Sequence, residues 1–324
     1  ETANEDFTNL KAAALIWKSF LAHRVTDLWG AIPYSEALQG NPELSLAPGY
    51  DTQQEVYTRL FADLELAASL LDDTAEAINA DSDLLFAGNI DSWRRFANSL
   101  RFRLAMRVSN VNEALATEVL TDLESADLFE SNTGSAEFQF NSVFNNPLNE
   151  AGNIRFSEGA QYVNPSKFLV DLLLEKDDPR IKFYIEEASL YDTFDFLDRY
   201  KGVPSLLPFT SEEWGDYNLD ETLGDPNGEW GDVSRIGEFF MTNERPVPLL
   251  SYSELCFLQA EASLRGLWSG NADELVKEGV RAHIEQMNFH NYSDHEAIEE
   301  QDIAEYVNAI SGVDLEEVIT QKWL

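Results

Sequence analysis

The sequence has one cysteine in 324 residues, and this scarcity limits the chemistry that the chain can perform. A single thiol excludes an intramolecular disulfide, and it excludes any zinc or iron–sulfur site built from several cysteines. Cys256 lies in an apolar stretch with helical spacing, which is typical of a buried and unreactive thiol. The redox compartment stays open, because a large protein in an oxidising compartment can dispense with disulfides.

Positive charge is also scarce. The chain has 22 lysines and arginines against 59 aspartates and glutamates, which gives a net charge of −37. Nucleic-acid binding depends mainly on Lys and Arg neutralising phosphates, so this balance excludes a generic DNA or RNA binder. The same argument excludes adhesion to anionic lipid through a basic patch.

Long apolar runs and catalytic motifs are missing as well. No stretch approaches the ~18 apolar residues of a membrane span. The sequence contains no G-x-S-x-G, H-E-x-x-H, P-loop or G-x-G-x-x-G motif. A carboxylate pair for glycoside hydrolysis can always be chosen from 59 acids, so their abundance does not indicate an enzyme. We therefore predict a protein without catalytic activity, with a glycoside hydrolase as the less favoured alternative.

The few histidines do not form a clear metal motif. The chain has four, and the spacings of the last three do not place them on one face of a helix. We interpret His283, His290 and His295 as solvated residues near helix ends.

What the chain does contain is apolar material with helical spacing. Hydrophobic residues make up 44% of it and aromatic residues 12%, enough to offset the entropy cost of folding. The first predicted helix carries a stripe with mixed spacings of three and four, at Phe7, Leu10, Ala14, Trp17, Leu21, Val25 and Leu28. Helices are predicted over residues 6–28, 53–71, 91–108, 112–126, 166–176, 251–265, 272–290, 296–310 and 314–324.

Capping signals mark two of these helix starts. Residues 52–55 and 251–254 both match the capping box, with a hydroxyl followed three residues later by a glutamate. Two long regions, at about 129–165 and 191–247, have no helical period and are rich in glycine, asparagine and aromatic residues. Since no linker composition separates the halves, we predict one helical domain with two irregular insertions.

Five of the fourteen arginines fall in the predicted helix at 91–108, and this clustering allows two interpretations. One is an anion or carboxylate site. The favoured one is a basic helix that runs through an acidic protein and pairs with its neighbours, each exposed pair adding little stability. The five are Arg94, Arg95, Arg101, Arg103 and Arg107.

Aromatic residues of the insertions are the best candidates for ligand binding. They stand among Asp, Asn and Gly rather than in apolar periodicity, and such rings suit the flat C–H faces of sugars while polar neighbours meet the hydroxyls. The alternative is that these rings pin the long loops to the scaffold. The candidates are Tyr191, Trp214, Tyr217 and Trp230 in the second insertion, with Phe144, Asn146 and Arg155 in the first.

One acidic segment offers ligands for a metal ion. Asp216, Asn218 and Asp220 have the alternating spacing of a calcium loop, and calcium prefers such hard oxygen ligands. An EF-hand is excluded, because Glu221 stands where that loop needs glycine. The alternatives are an irregular calcium site and a solvated acidic loop, and calcium is the one cofactor for which the sequence offers ligands.

Several strings occur in a fixed order along the chain. Residues 30–38 read GAIPYSEAL, residues 50–57 read YDTQQEVY, and residues 93–107 read WRRFANSLRFRLAMR. They are followed by Asp178-Pro179-Arg180 and by SELCFLQAEASLRG at residues 253–266. Together these strings resemble the SusD/RagB-like family of nutrient-binding outer-membrane lipoproteins of Bacteroidota.

The resemblance implies an all-α fold of tetratricopeptide-like helix pairs with long loop insertions. It also implies a lipid anchor on the extracellular face of the outer membrane and a SusC-like TonB-dependent transporter as partner. The ligand would be an oligosaccharide, or a peptide in an alternative member of the same family. The matching strings are scaffold positions, so the candidate ligand residues rest on the loop argument and not on the family.

Two features depart from the family. The N-terminal lipid-bearing cysteine is absent, and the chain stops at Leu324 where members continue. We therefore expect residues 1–324 to form a single α-helical domain that lacks the N-terminal lipidated segment and the C-terminal end.

Overall fold

Helices dominate the chain because periodic apolar residues and N-terminal caps occur together. The structure, a computed structural model, describes residues 7–37, 47–140, 143–147, 164–188, 199–204, 234–243, 245–291 and 296–324. The helices of this described part are α1 (Thr8–Trp29), α2 (Gln53–Leu70), α3 (Ile90–Val108), α4 (Glu113–Leu123), α5 (Lys167–Glu175), α6 (Ile181–Tyr184), α7 (Tyr252–Leu264), α8 (Ala272–Phe289), α9 (Glu300–Ala309) and α10 (Leu315–Trp323).

Strands are short and few among the described residues. They are β1 (Ala136–Phe138), β2 (Ile185–Glu186), β3 (Arg235–Ile236) and β4 (Val247–Leu250). β1 pairs with β4, and β2 pairs antiparallel with β3 so that Ile185 lies opposite Ile236. The predicted all-α class is therefore confirmed, and each predicted helix is present with its ends moved by a few residues. Of the described helices, only α6 was not predicted, because a helix of a single turn is too short to show a hydrophobic period.

The two predicted caps differ in how they are completed. At α2, the Thr52 hydroxyl accepts from the Glu55 amide at 3.3 Å, and the Glu55 carboxylate accepts from the Thr52 amide at 2.8 Å. At α7, the Ser251 hydroxyl likewise accepts from the Glu254 amide at 3.1 Å. The Glu254 carboxylate, however, binds the Arg103 guanidinium through two bonds of 2.8 and 2.6 Å. The carboxylate of Glu254 thus joins α7 to α3, and the cap of α7 has only the half in which Ser251 accepts from Glu254.

The chain divides into two compact units. Unit one comprises Glu1–Phe138, Pro248–Gly279 and Gly312–Leu324, and unit two comprises Gln139–Val247 and Val280–Ser311. The single domain inferred from the sequence stays a prediction.

Unit one is a layer of helices in which neighbours in sequence are neighbours in space. α1 packs on α2, α2 on α3 and α3 on α4, while α3 also contacts α1 and α7. Glycine ends the first helix: Gly30 has φ +75°, a left-handed conformation, and its amide donates to the Thr26 carbonyl at 2.7 Å. The core residues include Ile16, Phe20, Val56, Leu60, Leu64, Trp93, Phe96, Leu100, Leu104, Leu120, Leu255 and Leu258.

α1 is apolar on more than one side. Ala12, Ile16 and Phe20 face the core and are at most 1% exposed. Most of the stripe read from the sequence lies on the other side: Leu21 is 46% exposed and Leu28 is 73% exposed. The helix was predicted correctly, but its most regular apolar stripe is not the face that packs.

A buried ion pair organises unit two. Arg180 donates to both carboxylate oxygens of Asp178, at 2.9 Å from Nε and 2.5 Å from Nη2, and both side chains are 0% exposed. The Tyr306 hydroxyl donates to Asp178 at 2.8 Å, and Arg180 Nη1 lies 3.1 Å from His283 Nδ1. These contacts connect the loop before α6 to α8 and α9. His283 therefore lies inside α8 against a buried arginine, and the interpretation of it as a solvated helix-end residue is wrong.

Candidate functional site

Of the sequence-predicted ligand residues, the structure describes two. Phe144 is 49% exposed, so its ring retains surface that a ligand can cover. The other ligand candidates lie outside the described residues, and their roles stay predictions: Tyr191, Trp214, Tyr217, Trp230 and Arg155.

Asn146 is buried, and it fixes the segment next to Phe144. Its backbone amide donates to Asn243 Oδ1 at 3.0 Å, and its side-chain amide donates to the carbonyls of Phe240 and Thr242 at 3.2 and 2.8 Å. Because both side-chain protons are directed to backbone carbonyls, Asn146 holds residues 143–147 against residues 240–243. It thereby positions the neighbouring Phe144.

The arginines of α3 each have a carboxylate partner. Arg101 pairs with Asp122 at 2.7 Å, and its side chain is 8% exposed. The remaining pairs are Arg94 with Asp91, Arg95 with Glu130 at 2.8 Å, Arg103 with Glu254 at 2.6 Å, and Arg107 with Asp27 at 2.9 Å. The interpretation of α3 as a basic helix paired with an acidic protein is confirmed. Arg107 stands apart because half of its side chain is exposed.

A cleft of about 540 Å³, lined by both polar and apolar side chains, opens beside Arg107 at one end of the first four helices. We name it the α1–α4 cleft, after the helices that supply its walls. Its lining includes Asp27, Gln53, Gln54, Tyr57, Arg107 and Val111. The sequence signal for this cleft is weak, because its residues come from four separate helix ends, and only the fold brings them together.

A second, smaller cavity of about 340 Å³ has an apolar lining. Leu10 and Trp17 of α1 form one wall, and Leu84 and Trp93 form another. The Trp93 indole N–H is already directed to Asp83 Oδ2 at 2.8 Å. The groove therefore offers apolar surface with little polar chemistry to orient a ligand.

The described residues contain neither a cluster of metal-binding side chains nor a reactive thiol. No group of three or more His, Cys, Asp or Glu side chains there could hold a metal ion. The predicted calcium ligands Asp216, Asn218 and Asp220 lie outside those residues, so calcium stays a prediction. Cys256 is 1% exposed, and burial raises the pKa of its thiol to about 12, which confirms the prediction of a buried, unreactive thiol. None of the described helices is both long enough and apolar enough to cross a membrane.

The described residues define the class of the fold: an all-α protein built on a scaffold of packed helices. The sequence profile described as "Starch-binding associating with outer membrane" (SusD-like_2) matches residues 1–324. The chain belongs to this SusD-like family. Its members bind carbohydrate nutrients in association with the outer membrane and with transporters there, generally without catalysis. Among curated proteins, no significant match was found.

Solved structures agree with this assignment. A chitin-binding protein is similar with 28% identity and a TM-score of 0.80, covering 99% of this chain and 66% of its own. A SusD homologue from Bacteroides fragilis has 26% identity and a TM-score of 0.81, covering 100% and 69%. A chitin-binding SusD homologue from Flavobacterium johnsoniae has 25% identity and a TM-score of 0.71, covering 99% and 66%. The chain therefore spans about two thirds of the length of these relatives.

Proposed function

We propose that this protein binds a neutral glycan without cleaving it and delivers it to a SusC-like TonB-dependent transporter. The whole-chain match to the SusD-like family carries the proposal. Two structural neighbours at 28 and 25% identity are chitin-binding proteins, which favours a β-linked N-acetylglucosamine oligomer as the first ligand to test. The net charge of −37 supports a neutral glycan, because an acidic one would be repelled.

The cellular setting is part of the proposal. A lipid anchor would hold the full-length protein on the extracellular face of the outer membrane of a bacterium of the Bacteroidota. There the protein would meet large glycans before the transporter does. Ligand contacts would come from the insertions, through Tyr191, Trp214, Tyr217, Trp230, Phe144 and Arg155. Asn146, which is buried and bonded to backbone carbonyls, would act only by fixing the segment that carries Phe144, and Asp216, Asn218 and Asp220 would hold calcium.

Calorimetric titration tests this function directly. The purified chain would be titrated with chito-oligosaccharides, malto-oligosaccharides and a peptide digest, each with calcium and with a chelator, and the mixtures would be sampled for new reducing ends. Saturable heat from one glycan class without new reducing ends is the expected result. Heat from the peptides alone would replace the glycan by the peptide alternative, and new reducing ends would reveal a hydrolase.

A single substitution tests the proposed ligand loops. Trp214→Ala should weaken glycan binding by about 1–3 kcal/mol, the loss typical of a stacked aromatic at the centre of a binding site. Trp323→Ala is the matched control, because Trp323 is 56% exposed at the end of α10, outside the insertions. Equal affinities of both variants and the unsubstituted chain would remove Trp214 from the site.

A further inference from the structure

We propose that the α1–α4 cleft is a second carbohydrate site, which takes one or two neutral sugar rings. The proposal builds on the glycan-binding function but concerns a different place in the protein. The cleft lies where α1 and α3 end and where α2 and α4 begin. Its volume of about 540 Å³ is within the range of ~300–1,000 Å³ found for small-molecule sites.

One wall of the cleft presents an acceptor and a donor side by side. The Tyr57 hydroxyl donates to Asp27 Oδ1 at 2.6 Å, and Arg107 Nη1 lies 2.9 Å from Asp27 Oδ2. Arg107 is half exposed, and within the described structure Asp27 is its one ion-pair partner, so most of its five N–H groups remain for a ligand. A sugar hydroxyl both donates and accepts, and it can therefore bond to the carboxylate and to the guanidinium together.

Amide side chains extend this polar wall. Gln53 Nε2 donates to the Thr26 carbonyl at 2.9 Å, which fixes the amide and leaves its oxygen as an acceptor. The side chain of Gln54 has no hydrogen bond to any described residue. Both glutamines lie in the first turn of α2, so the helix fixes where their backbones stand beside the cleft.

The residues that α3 and α4 contribute to the lining are mainly aliphatic, with Asn112 among them. Val108, Val111 and Leu115 line the cleft where α3 ends and α4 begins. Val111 is 86% exposed, although it is fully apolar. A sugar ring has C–H faces as well as hydroxyls, so a cleft whose lining combines polar and aliphatic side chains suits both of its surfaces.

Two other ligand classes fit this cleft less well. An anion would meet an Arg107 that is already neutralised by Asp27, on a chain with a net charge of −37. Hydrolysis of a glycosidic bond needs two carboxyl groups, and Asp27 is the one acid among the lining residues that the structure describes. A neutral, uncleaved sugar is the ligand that remains.

Site-resolved NMR can detect this binding separately from the loops. Amide resonances of the isotope-labelled 324-residue chain would be followed during titration with chitobiose, and in parallel with maltose, up to about 20 mM, which reaches millimolar affinities. Saturable shifts at Gln54, Val111 and Asn112 are expected. The absence of shifts at these amides with both sugars would overturn the proposal.

Variants then test whether the side chains carry the binding. Gln54→Ala and Val111→Asp should each weaken binding at the cleft about fivefold or more. Matched controls are Gln301→Ala on α9 and Val25→Asp on α1, two exposed positions that do not line the cleft. Unchanged affinity in both cleft variants would also overturn it.

The outcomes separate this site from the main function. If Trp214→Ala abolishes glycan binding and the amides of the cleft do not shift with either sugar, the proposed function stands and the second site is refuted. Cleft shifts that persist in Trp214→Ala and vanish in Gln54→Ala would establish the second site by itself. A chain that binds no glycan anywhere would refute both.

Discussion

At the residue scale, the buried Asp178–Arg180 pair shows how this acidic protein uses a scarce cation. Burial opposes ionisation of Asp178, but the charge and hydrogen bonds of Arg180 outweigh it and hold the pKa of that carboxyl below its usual range. Arg180 is also held by geometry, since it bonds bidentately to Asp178 and contacts His283. A pair of this kind is costly to break from one side, because the partner is left charged and buried.

Removal of Arg180 should therefore destabilise the folded protein strongly. Arg180→Ala is expected to lower the free energy of unfolding by about 3–5 kcal/mol, as found for one-sided removal of buried pairs. Arg199→Ala is the control, because Arg199 and Glu187 are 3.4 Å apart and both well exposed, a setting in which a pair contributes about 1 kcal/mol or less. Urea denaturation followed by circular dichroism measures both. Similar losses in the two variants would show that burial does not set the strength of the pair.

The lowered pKa of His23 should make the stability of the fold depend on pH. Burial, and then the charge of Arg103, lower the pKa of His23 to about 4, whereas an unfolded histidine titrates near ~6.5. Between these values the unfolded chain binds a proton that the folded chain does not. Stability from this residue is therefore complete above pH ~6.5 and falls as the pH drops toward 4, by up to roughly 3 kcal/mol in total.

The matched variant for this effect is His23→Gln, which cannot titrate. Its free energy of unfolding should depend less steeply on pH between 6.5 and 4 than that of the unsubstituted chain. The comparison uses slopes, so the constant cost of placing an amide in the core cancels. Parallel curves would mean that His23 is protonated equally in both states.

At the scale of elements, α1 separates what periodicity can predict from what it cannot. The spacing of its apolar residues located the helix within two residues at each end. The regular stripe was a poor guide to packing, because alanines, Ile16 and Phe20 form a second apolar face that fits closely against α2 and α3. A helix that is apolar around much of its circumference leaves the choice of face to its neighbours.

The same limit applies to the candidate sites. Composition predicts aromatic binding residues in the insertions, since no helical period explains those rings, and this stays a prediction. It could not find the α1–α4 cleft, whose acid, amides and guanidinium lie at positions 27, 53, 54 and 107 and meet only after three helices have packed. Nor could it pair each arginine of α3 with its carboxylate, although the charge balance made such pairing expected.

The two faces of α1 give a test of packing. Phe20 is 1% exposed and contacts the rings of Trp17, His23 and Phe96, so Phe20→Ala should destabilise the fold by about 3–5 kcal/mol. Leu21 is the adjacent residue and 46% exposed, so Leu21→Ala should change stability by about 0.5 kcal/mol or less. The denaturant midpoints of the two variants, compared with that of the unsubstituted chain, measure the two stability losses. A larger loss for Leu21→Ala would place the packed face on the sequence-derived stripe.

At the scale of the whole molecule, the dominant physical fact is a net charge of −37 on 324 residues. Such a charge opposes folding, because folding brings like charges closer together. The paired arginines of α3 relieve this repulsion locally. They cannot remove it, since acids outnumber all lysines and arginines by 59 to 22.

Salt should therefore stabilise this protein. Raising NaCl from about 0.05 to 1 M shortens the screening length to ~3 Å, which suppresses repulsion between distant carboxylates. The same salt weakens the exposed ion pairs, but each of these contributes only about 0–1 kcal/mol, so the many repulsive terms outweigh them. The melting temperature, measured by calorimetry at constant pH, should rise with NaCl concentration. Choline chloride at matched ionic strength is the control for specific sodium binding and should give a similar rise. A melting temperature that falls with both salts would show that local ion pairs, and not the net charge, govern the electrostatics of the fold.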